Sequence, residues 1–379
     1  MSSPAPRLHV LGTRGLPNRH GGFEAFAERL APWLAERGWD VTVYCQEERG
    51  GPAREEMWRG VRLAHVPVAH PGARGSIAFD WRSARQAIAA GGPLLTLGCN
   101  TAAFFVLHRR ARRPHVVNVD GLEWQRRKWP RPVRAWFYVN AWLAGWLATA
   151  LVADHPEIAR LWRTRHPRAS IATIPYGADC VEDADPALLE PFGVRPGAFG
   201  LIVARSEPEN SILEMVRAWS AAPRGMPLLV LGEYDDGHNA YQRRVREAAG
   251  PLVRFPGAVY DPSTVAALRL HARLYLHGHT VGGTNPSLVE ALGAGSPTLA
   301  HDNPFNRWVA GEAARYFSDE RQCADALGTL LGGDLTLARM RRAARVRHAE
   351  AFTWERILPR YEQLLIETTR ANPAPAGRP

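Results

Sequence analysis

Two α/β units in series, each a parallel sheet covered on both faces, are the architecture that this sequence of 379 residues predicts. Three observations point there. Short apolar runs of strand length alternate with amphipathic helical stretches, the pattern of βαβ units. The alternation breaks at an acidic, proline-bearing segment and then starts again. The chain is too long for one ordinary domain and suits two of roughly 150–180 residues, and an apolar content of 46% is enough to fill two cores.

In chain order, Arg7–Leu11 is an apolar run ending at Gly12, followed by a glycine-rich loop and an amphipathic helix over Phe23–Arg37. Gly38 stands where a helix C-cap glycine belongs. Asp40–Cys45 alternates as a strand, and strand-like runs recur at Val61–Val66, Leu94–Leu97, Val116–Val119 and Ala150–Ala153. Continuous apolar strands of this kind indicate a sheet buried on both sides. The pattern restarts with a strand at Leu201–Val203, a helix at Ile212–Trp219, a strand at Leu228–Leu231, a helix at Tyr241–Ala249 and a strand at Arg254–Phe255. Helix Thr264–Leu270, strand Leu274–His277, helix Pro286–Ala294 and strand Thr298–Ala300 complete it. The expected division is a first domain over 1–180, a linker over 181–196 and a second domain over 197–352.

Charge and cysteine usage exclude several classes. The formal net charge is +10, and residues 1–180 hold 25 Arg/Lys against 14 Asp/Glu, so the first half favours an anionic partner. Only Lys128 is lysine against 46 arginines, a compositional bias that weakens arginine content as a sign of nucleic-acid binding. No zinc-finger or RNP-type motif accompanies it, and no nucleic-acid partner is expected. Cys45, Cys99, Cys180 and Cys323 lie far apart without metal-ligand spacing, which fits a reducing compartment; no signal peptide is predicted. Ala135–Ala153 is uncharged over 19 residues, close to a membrane-spanning length. Asn140, Gly145 and its β-prone end favour a buried helix feeding a strand.

Three loops carry candidate chemistry. Gly12–Gly22 (GTRGLPNRHGG) joins a strand to a helix, where glycine amides and a helix N-terminus favour anions, although its spacing is not GxGxxG. In His277–Gly295 (HGHTVGGTNPSLVEALGAG), Asn285 is placed to cap a helix with Pro286 at its first position. Gly282 and Gly283 leave amides free to face a phosphate, and Glu290 lies one turn on, suited to ribose hydroxyls. Ala204–Asn210 (ARSEPEN) follows the first strand of the second unit, where Arg205 is placed to neutralise a departing diphosphate. In the first unit Asp120, Glu123 and Asp154 follow strands, as does Tyr176; the carboxylates are candidates to orient or deprotonate a hydroxyl. Asp183–Asp185 falls in the expected linker and is read as solvated acid, with no metal site.

The stretches GTRGLPNRHGGFEAFAERLAPWLAERGWDVTVYC, VDGLEWQRRKW, IPYGAD, ARSEPEN, HGHTVGGTNPSLVEALGAG and AHDNPFNRWV resemble family 4 of the retaining glycosyltransferases, in particular a branch with bacterial rhamnosyltransferases. The resemblance implies the GT-B fold: two Rossmann-like domains facing across a cleft, with a C-terminal helix over 353–371 crossing back to the first. It implies a nucleotide-sugar donor, expected as dTDP-rhamnose with a UDP- or GDP-hexose as the alternative, and neither a metal nor another cofactor. Donor binding is expected from Gly15, Arg205, Asn210, His279, Gly282, Gly283, Thr284, Asn285 and Glu290, and acceptor binding from Gly21, Gly22, Glu24, Glu123 and Trp124. Asp154, Tyr176, Asp120 and Arg205 are the expected catalytic residues. The family commonly has glutamate where Gly282 stands and lysine where Asn210 stands. The acceptor is expected to be a lipid-diphosphate-linked sugar, met by a cytoplasmic protein held peripherally at an anionic membrane. The alternative from another class is a non-catalytic nucleotide-sugar-binding protein.

Overall fold

The computed structural model describes residues 5–18, 21–48, 50–119, 121–126, 129–235, 237 and 239–372. Contacts divide the chain into unit 1 (Met1–Gln125, Trp129–Pro175 and Glu355–Pro379) and unit 2 (Arg126–Lys128 and Tyr176–Trp354).

Unit 1 runs β1 (Arg7–Leu11), α1 (Gly22–Glu36), β2 (Asp40–Glu48), β3 (Arg54–Trp58), β4 (Val61–Val68), α2 (Gly72–Ala90), β5 (Leu94–Leu97), α3 (Phe105–Arg110), β6 (His115–Asn118), α4 (Arg131–Leu147), β7 (Ala150–Ala153), α5 (Pro156–Arg165) and β8 (Ser170–Thr173). The sheet order is β3-β4-β2-β1-β5-β6-β7-β8. Its central strands are buried along almost their whole length because helices cover both faces, with His9, Thr96, His115 and Asn118 as buried polar members. Only β3 is antiparallel, and it forms the edge. Its charges protect that edge: Arg54 pairs with Glu56 at 2.8 Å, and Arg62 of β4 reaches Glu55 at 3.2 Å.

Helix α4 departs from expectation. It does feed a strand, β7, but it is not a buried helix. Its buried residues are Asn140, Ala141 and Ala144, while Trp136, Tyr138, Val139, Trp142 and Trp146 are exposed. The cause is close packing on its inner side. A Cβ at Gly145 would stand 2.4 Å from the His166 ring, and Asn140 Oδ1 accepts from the Ala103 amide at 3.0 Å. Small residues occupy the contact, so the aromatic ones face outward. Among the described residues, no helix is long and apolar enough to cross a membrane.

Unit 2 runs β9 (Gly200–Val203), α6 (Ile212–Ser220), β10 (Leu228–Leu231), α7 (Ala240–Glu247), β11 (Val253–Gly257), α8 (Pro262–His271), β12 (Leu274–His277), α9 (Pro286–Gly293), β13 (Thr298–His301), α10 (Pro304–Ala310), β14 (Ala314–Phe317), α11 (Glu320–Leu330) and α12 (Asp334–Ala351). All six strands are parallel, in the order β11-β10-β9-β12-β13-β14. Residues 181–196, expected as a linker, fold onto this unit instead. Asp185 caps a 3-10 turn at Pro186–Phe192, and Leu189 and Val194 are buried with Leu201, Leu268 and Tyr275. The acidic residues of that segment mask an apolar face large enough to fix it. The chain passes into unit 2 at Tyr176, not after residue 180.

The last helix, α13 (Trp354–Ala371), begins in unit 2 and gives the rest of its length to unit 1. There Tyr361 packs on Phe26 with ring centroids 4.6 Å apart, and its hydroxyl accepts from Asn118 Nδ2 at 2.8 Å. Glu362 accepts from Arg37 Nε at 2.8 Å and from Trp39 Nε1 at 3.0 Å. These contacts explain why a helix distant in sequence is part of the first unit.

Candidate functional site

Counted from its own first strand, the sheet of unit 2 has the order 3-2-1-4-5-6, that of a doubly wound nucleotide-binding fold. The direction of winding reverses between β9 and β12. Ligands of such sheets bind outside the strand C-termini at this switch point. The two loops that leave it are Ala204–Ser211 and Gly278–Asn285, which hold most of the expected donor residues.

Backbone contacts bind the two loops together. Thr280 donates to the Glu209 carbonyl through both its amide, at 2.9 Å, and its hydroxyl, at 3.0 Å. Gly278 is required by the approach, since a Cβ there would meet the Asn210 carbonyl oxygen at 2.2 Å. Asn210 Nδ2 donates to the Arg205 carbonyl at 2.8 Å, so this amide shapes the loop and is not aimed at a phosphate. Arg205 itself is exposed and, among the described residues, has no carboxylate partner. Its guanidinium remains available to an anion.

Opposite it in sequence, Asn285 caps α9 by accepting from the Ser287 amide at 3.2 Å, with Pro286 next. Gly282 has φ 142°, a backbone conformation that side-chain-bearing residues rarely adopt, and open space around its Cβ position. Gly283 and Thr284 are buried between it and the helix. A ligand phosphate at this end would meet backbone N–H groups and the positive end of the helix dipole. Glu290 is held from behind: Arg269 approaches its Oε2 at 2.5 Å and also reaches Ser287 Oγ at 3.3 Å. The Glu290 side chain is still 36% exposed, which fixes its orientation without closing it to a hydroxyl.

Of a group of polar side chains with buried, unpartnered atoms here, sequence reasoning named His279 and missed His277, His301, Glu214 and Ser206. His277 and His279 stack with centroids 4.3 Å apart, and His277 lies within the electrostatic reach of His301, which in turn senses Glu214. Ser206 Oγ, Glu214 Oε2, His279 Nδ1, His301 Nδ1 and both ring nitrogens of His277 are buried without a hydrogen-bond partner among the described residues. Unpaired buried polar atoms are rare in folded chains and mark a strained or ligand-binding region. Burial, reinforced by the Arg205 charge, holds His279 down at about 3. Burial also pushes His277 well below its ordinary value and lowers His301. All three are neutral at pH 7 and offer hydrogen bonds without charge. The signal in the sequence was HGH at the end of a strand and a glutamate in the first turn of the helix after Ala204–Asn210.

In unit 1 the expected acceptor residues divide. Glu24 is buried, and its Oε1 accepts from the Arg14 amide at 2.8 Å, so it fastens the Gly12–Gly22 loop. Gly15, expected at the donor, belongs to this unit; it has φ 137°, and a Cβ there would meet Cys45 Cβ at 3.0 Å. Gly21 is extended, and Gly22 opens α1. Beyond β5 and β6, Asn100, Val119, Gly121, Glu123 and Trp124 line a small indentation. Glu123 accepts from Trp129 Nε1 at 3.0 Å, and Trp124 is buried under the Arg165 guanidinium, 5.5 Å away. Asp154 follows β7 within electrostatic reach of Tyr361. Tyr176 belongs to unit 2, its ring 5.4 Å from Trp354. Asp120 lies outside the described residues. Asp185 of the Asp183–Asp185 segment is spent on its cap, accepting from Ala187 at 2.9 Å.

The family described as a domain of unknown function, DUF1972, matches residues 6–179. No curated protein matches the chain. Among solved structures, a sucrose-phosphate synthase from Thermosynechococcus elongatus is similar with TM-score 0.82 at 18% identity, over 97% of this chain and 100% of its own. HepE of Anabaena in complex with UDP is similar with TM-score 0.73 at 15% identity, over 96% and 100%. A UDP-forming α,α-trehalose-phosphate synthase from Burkholderia vietnamiensis gives TM-score 0.71 at 11%, over 96% and 100%. The architecture is therefore GT-B, with two Rossmann-like α/β domains, as the sequence predicted.

These comparisons correct the expectation of a rhamnosyltransferase supplied with dTDP-rhamnose. HepE was solved with UDP, and the trehalose-phosphate synthase is described as UDP-forming.

Proposed function

We propose that the chain is a retaining glycosyltransferase that moves a hexosyl group from a UDP- or GDP-hexose to an acceptor hydroxyl without a metal ion. The observation that carries this reading is the switch point of unit 2, where the loop with the exposed Arg205 and the glycine-opened N-terminus of α9 follow adjacent strands. The reaction breaks the bond between the anomeric carbon and the diphosphate, so negative charge grows on the leaving oxygen. Arg205 and the N–H groups before α9 stabilise that charge, and fixed donors of this kind supply a large part of catalytic power. Glu290, oriented by Arg269, receives the ribose hydroxyls. We assign the neutral His277 and His279 to sugar hydroxyls and Asp154 to the acceptor. The retaining outcome rests on the resemblance to family 4, which offers no obvious covalent nucleophile.

The complexes of HepE with UDP and glucose, and of a trehalose-phosphate synthase with glucose-6-phosphate, support a UDP-sugar donor and a sugar-class acceptor. We propose the acceptor to be a sugar carried on a lipid diphosphate, in keeping with the basic first half of the chain. The test is incubation of the purified protein with labelled UDP- and GDP-hexoses and either a lipid-diphosphate sugar or glucose-6-phosphate. Transfer to the lipid-linked sugar supports the whole reading, and transfer to the sugar phosphate alone removes the lipid acceptor. Absence of both transfer and donor hydrolysis, with every donor, refutes the enzyme.

A further inference from the structure

The outward face of α4 has no assigned role. Five large apolar or aromatic side chains stand out on it: Trp136 (45% exposed), Tyr138 (45%), Val139 (51%), Trp142 (49%) and Trp146 (54%). Val139, Trp142 and Trp146 follow helical spacing and form one stripe, and the Trp142 and Trp146 rings lie 6.0 Å apart. The helix is amphipathic in the reverse of the usual sense, with its smallest residues turned inward and its largest outward. At 17 residues it is about 25 Å long and suited to lie along a surface.

Charge identifies what covers it. Residues 81–153 hold eleven arginines and lysines against two carboxylates, Asp120 and Glu123. The cations reach the stripe: Arg109 donates to the Trp146 carbonyl at 3.1 Å, and the Arg165 guanidinium lies 5.2 Å from the Tyr138 ring centroid. Arg110, Arg112 and Arg131 are exposed on α3, on the turn after it and at the start of α4. Two copies meeting through this face would bring like charges together. An anionic lipid surface instead satisfies both components, since Trp and Tyr prefer the headgroup level and arginines are drawn to acidic headgroups.

We propose that the exposed face of α4 is an interfacial membrane-docking surface, which lies flat with Trp142 and Trp146 among the headgroups and the flanking arginines on anionic lipid. This goes beyond the charge-only attachment that the sequence suggested, because aromatic insertion is a second component. It does not depend on which nucleotide sugar unit 2 accepts.

The test uses the full chain and sedimentation with phosphatidylcholine vesicles, with and without phosphatidylglycerol, for the wild type, Trp142→Ser/Trp146→Ser and Arg109→Gln/Arg110→Gln. Melting temperature serves as the control for folding. The expected result is binding to the phosphatidylglycerol vesicles that the tryptophan pair weakens roughly tenfold or more. High salt should weaken wild-type binding without abolishing it, and brominated lipid should quench the wild-type tryptophan fluorescence. Equal binding by folded wild type and tryptophan variant overturns the proposal, as does complete release of the wild type by salt. Self-association by light scattering that the tryptophan variant abolishes, with no vesicle binding by either protein, assigns the face to a second copy and also overturns it.

Discussion

Replacing Arg205 by alanine should weaken UDP binding by roughly 10–100-fold while leaving the fold intact. The structure supplies both halves of this expectation. Arg205 is exposed and has no carboxylate partner among the described residues, so its removal strands no buried charge. Surface substitutions of that kind stay within about 0.5 kcal/mol of stability. A charge-assisted hydrogen bond to a phosphate contributes about 1.5–3 kcal/mol, which is roughly one to two powers of ten in affinity. Arg205→Lys should recover part of the loss, because it restores the charge but not the bidentate fork. Calorimetric titration of wild type and both variants with UDP, beside thermal melts, measures the two effects separately. Unchanged UDP affinity in a folded Arg205→Ala protein would refute the placement of the diphosphate at this loop.

Three further outcomes are expected. Asp154→Asn and Tyr176→Phe should lower kcat by about 10²–10⁴-fold if these groups act on the acceptor, with donor affinity little changed; near-normal turnover of a folded Asp154→Asn protein moves the role to Asp120. Transfer should persist in excess chelator, because Arg205 and the start of α9 take the place of a cation; loss of activity restored by magnesium or manganese contradicts this. Stability should fall as pH drops below about 6.5. Burial holds His108 at about 4 and His279 at about 3 in the folded chain, so the unfolded chain binds more protons below its ordinary value of 6.5. The loss amounts to at most about 2 kcal/mol per histidine by pH 5. Denaturant unfolding at pH 7, 6 and 5 should show a shallower decline for His279→Gln, and identical slopes would argue against a neutral buried imidazole.

Much of the fold could be read because parallel strands buried on both faces are runs of Val, Leu and Ala. Leu94–Leu97, Ala150–Ala153, Leu228–Leu231 and Leu274–His277 have the expected bounds. β3 (REEMW) escaped because an exposed antiparallel edge strand carries charge in place of apolar residues. α2 escaped because Gly72 and Gly75 disguise its start, although Gly75 lies where a Cβ would clash with the His70 carbonyl. α4 was misjudged because composition shows that a segment is apolar, not which side of it meets the sheet. At the site, the cap at Asn285 and the glycines before it follow from local rules. The His277–His279–His301–Glu214 group does not, since it assembles from three separate strand and helix ends. The pairing of Glu290 with Arg269 likewise depends on how α8 packs beside α9.

Hydrogen exchange with and without UDP tests the central claim most directly, because it locates the nucleotide without assuming its sugar. UDP should slow exchange of the amides in Ala204–Ser211 and in Gly278 through the first turn of α9, and leave the Gly12–Gly22 loop of unit 1 unchanged. Protection confined to Gly12–Gly22, or none in unit 2 at saturating UDP, would contradict a donor site at the β9–β12 switch point.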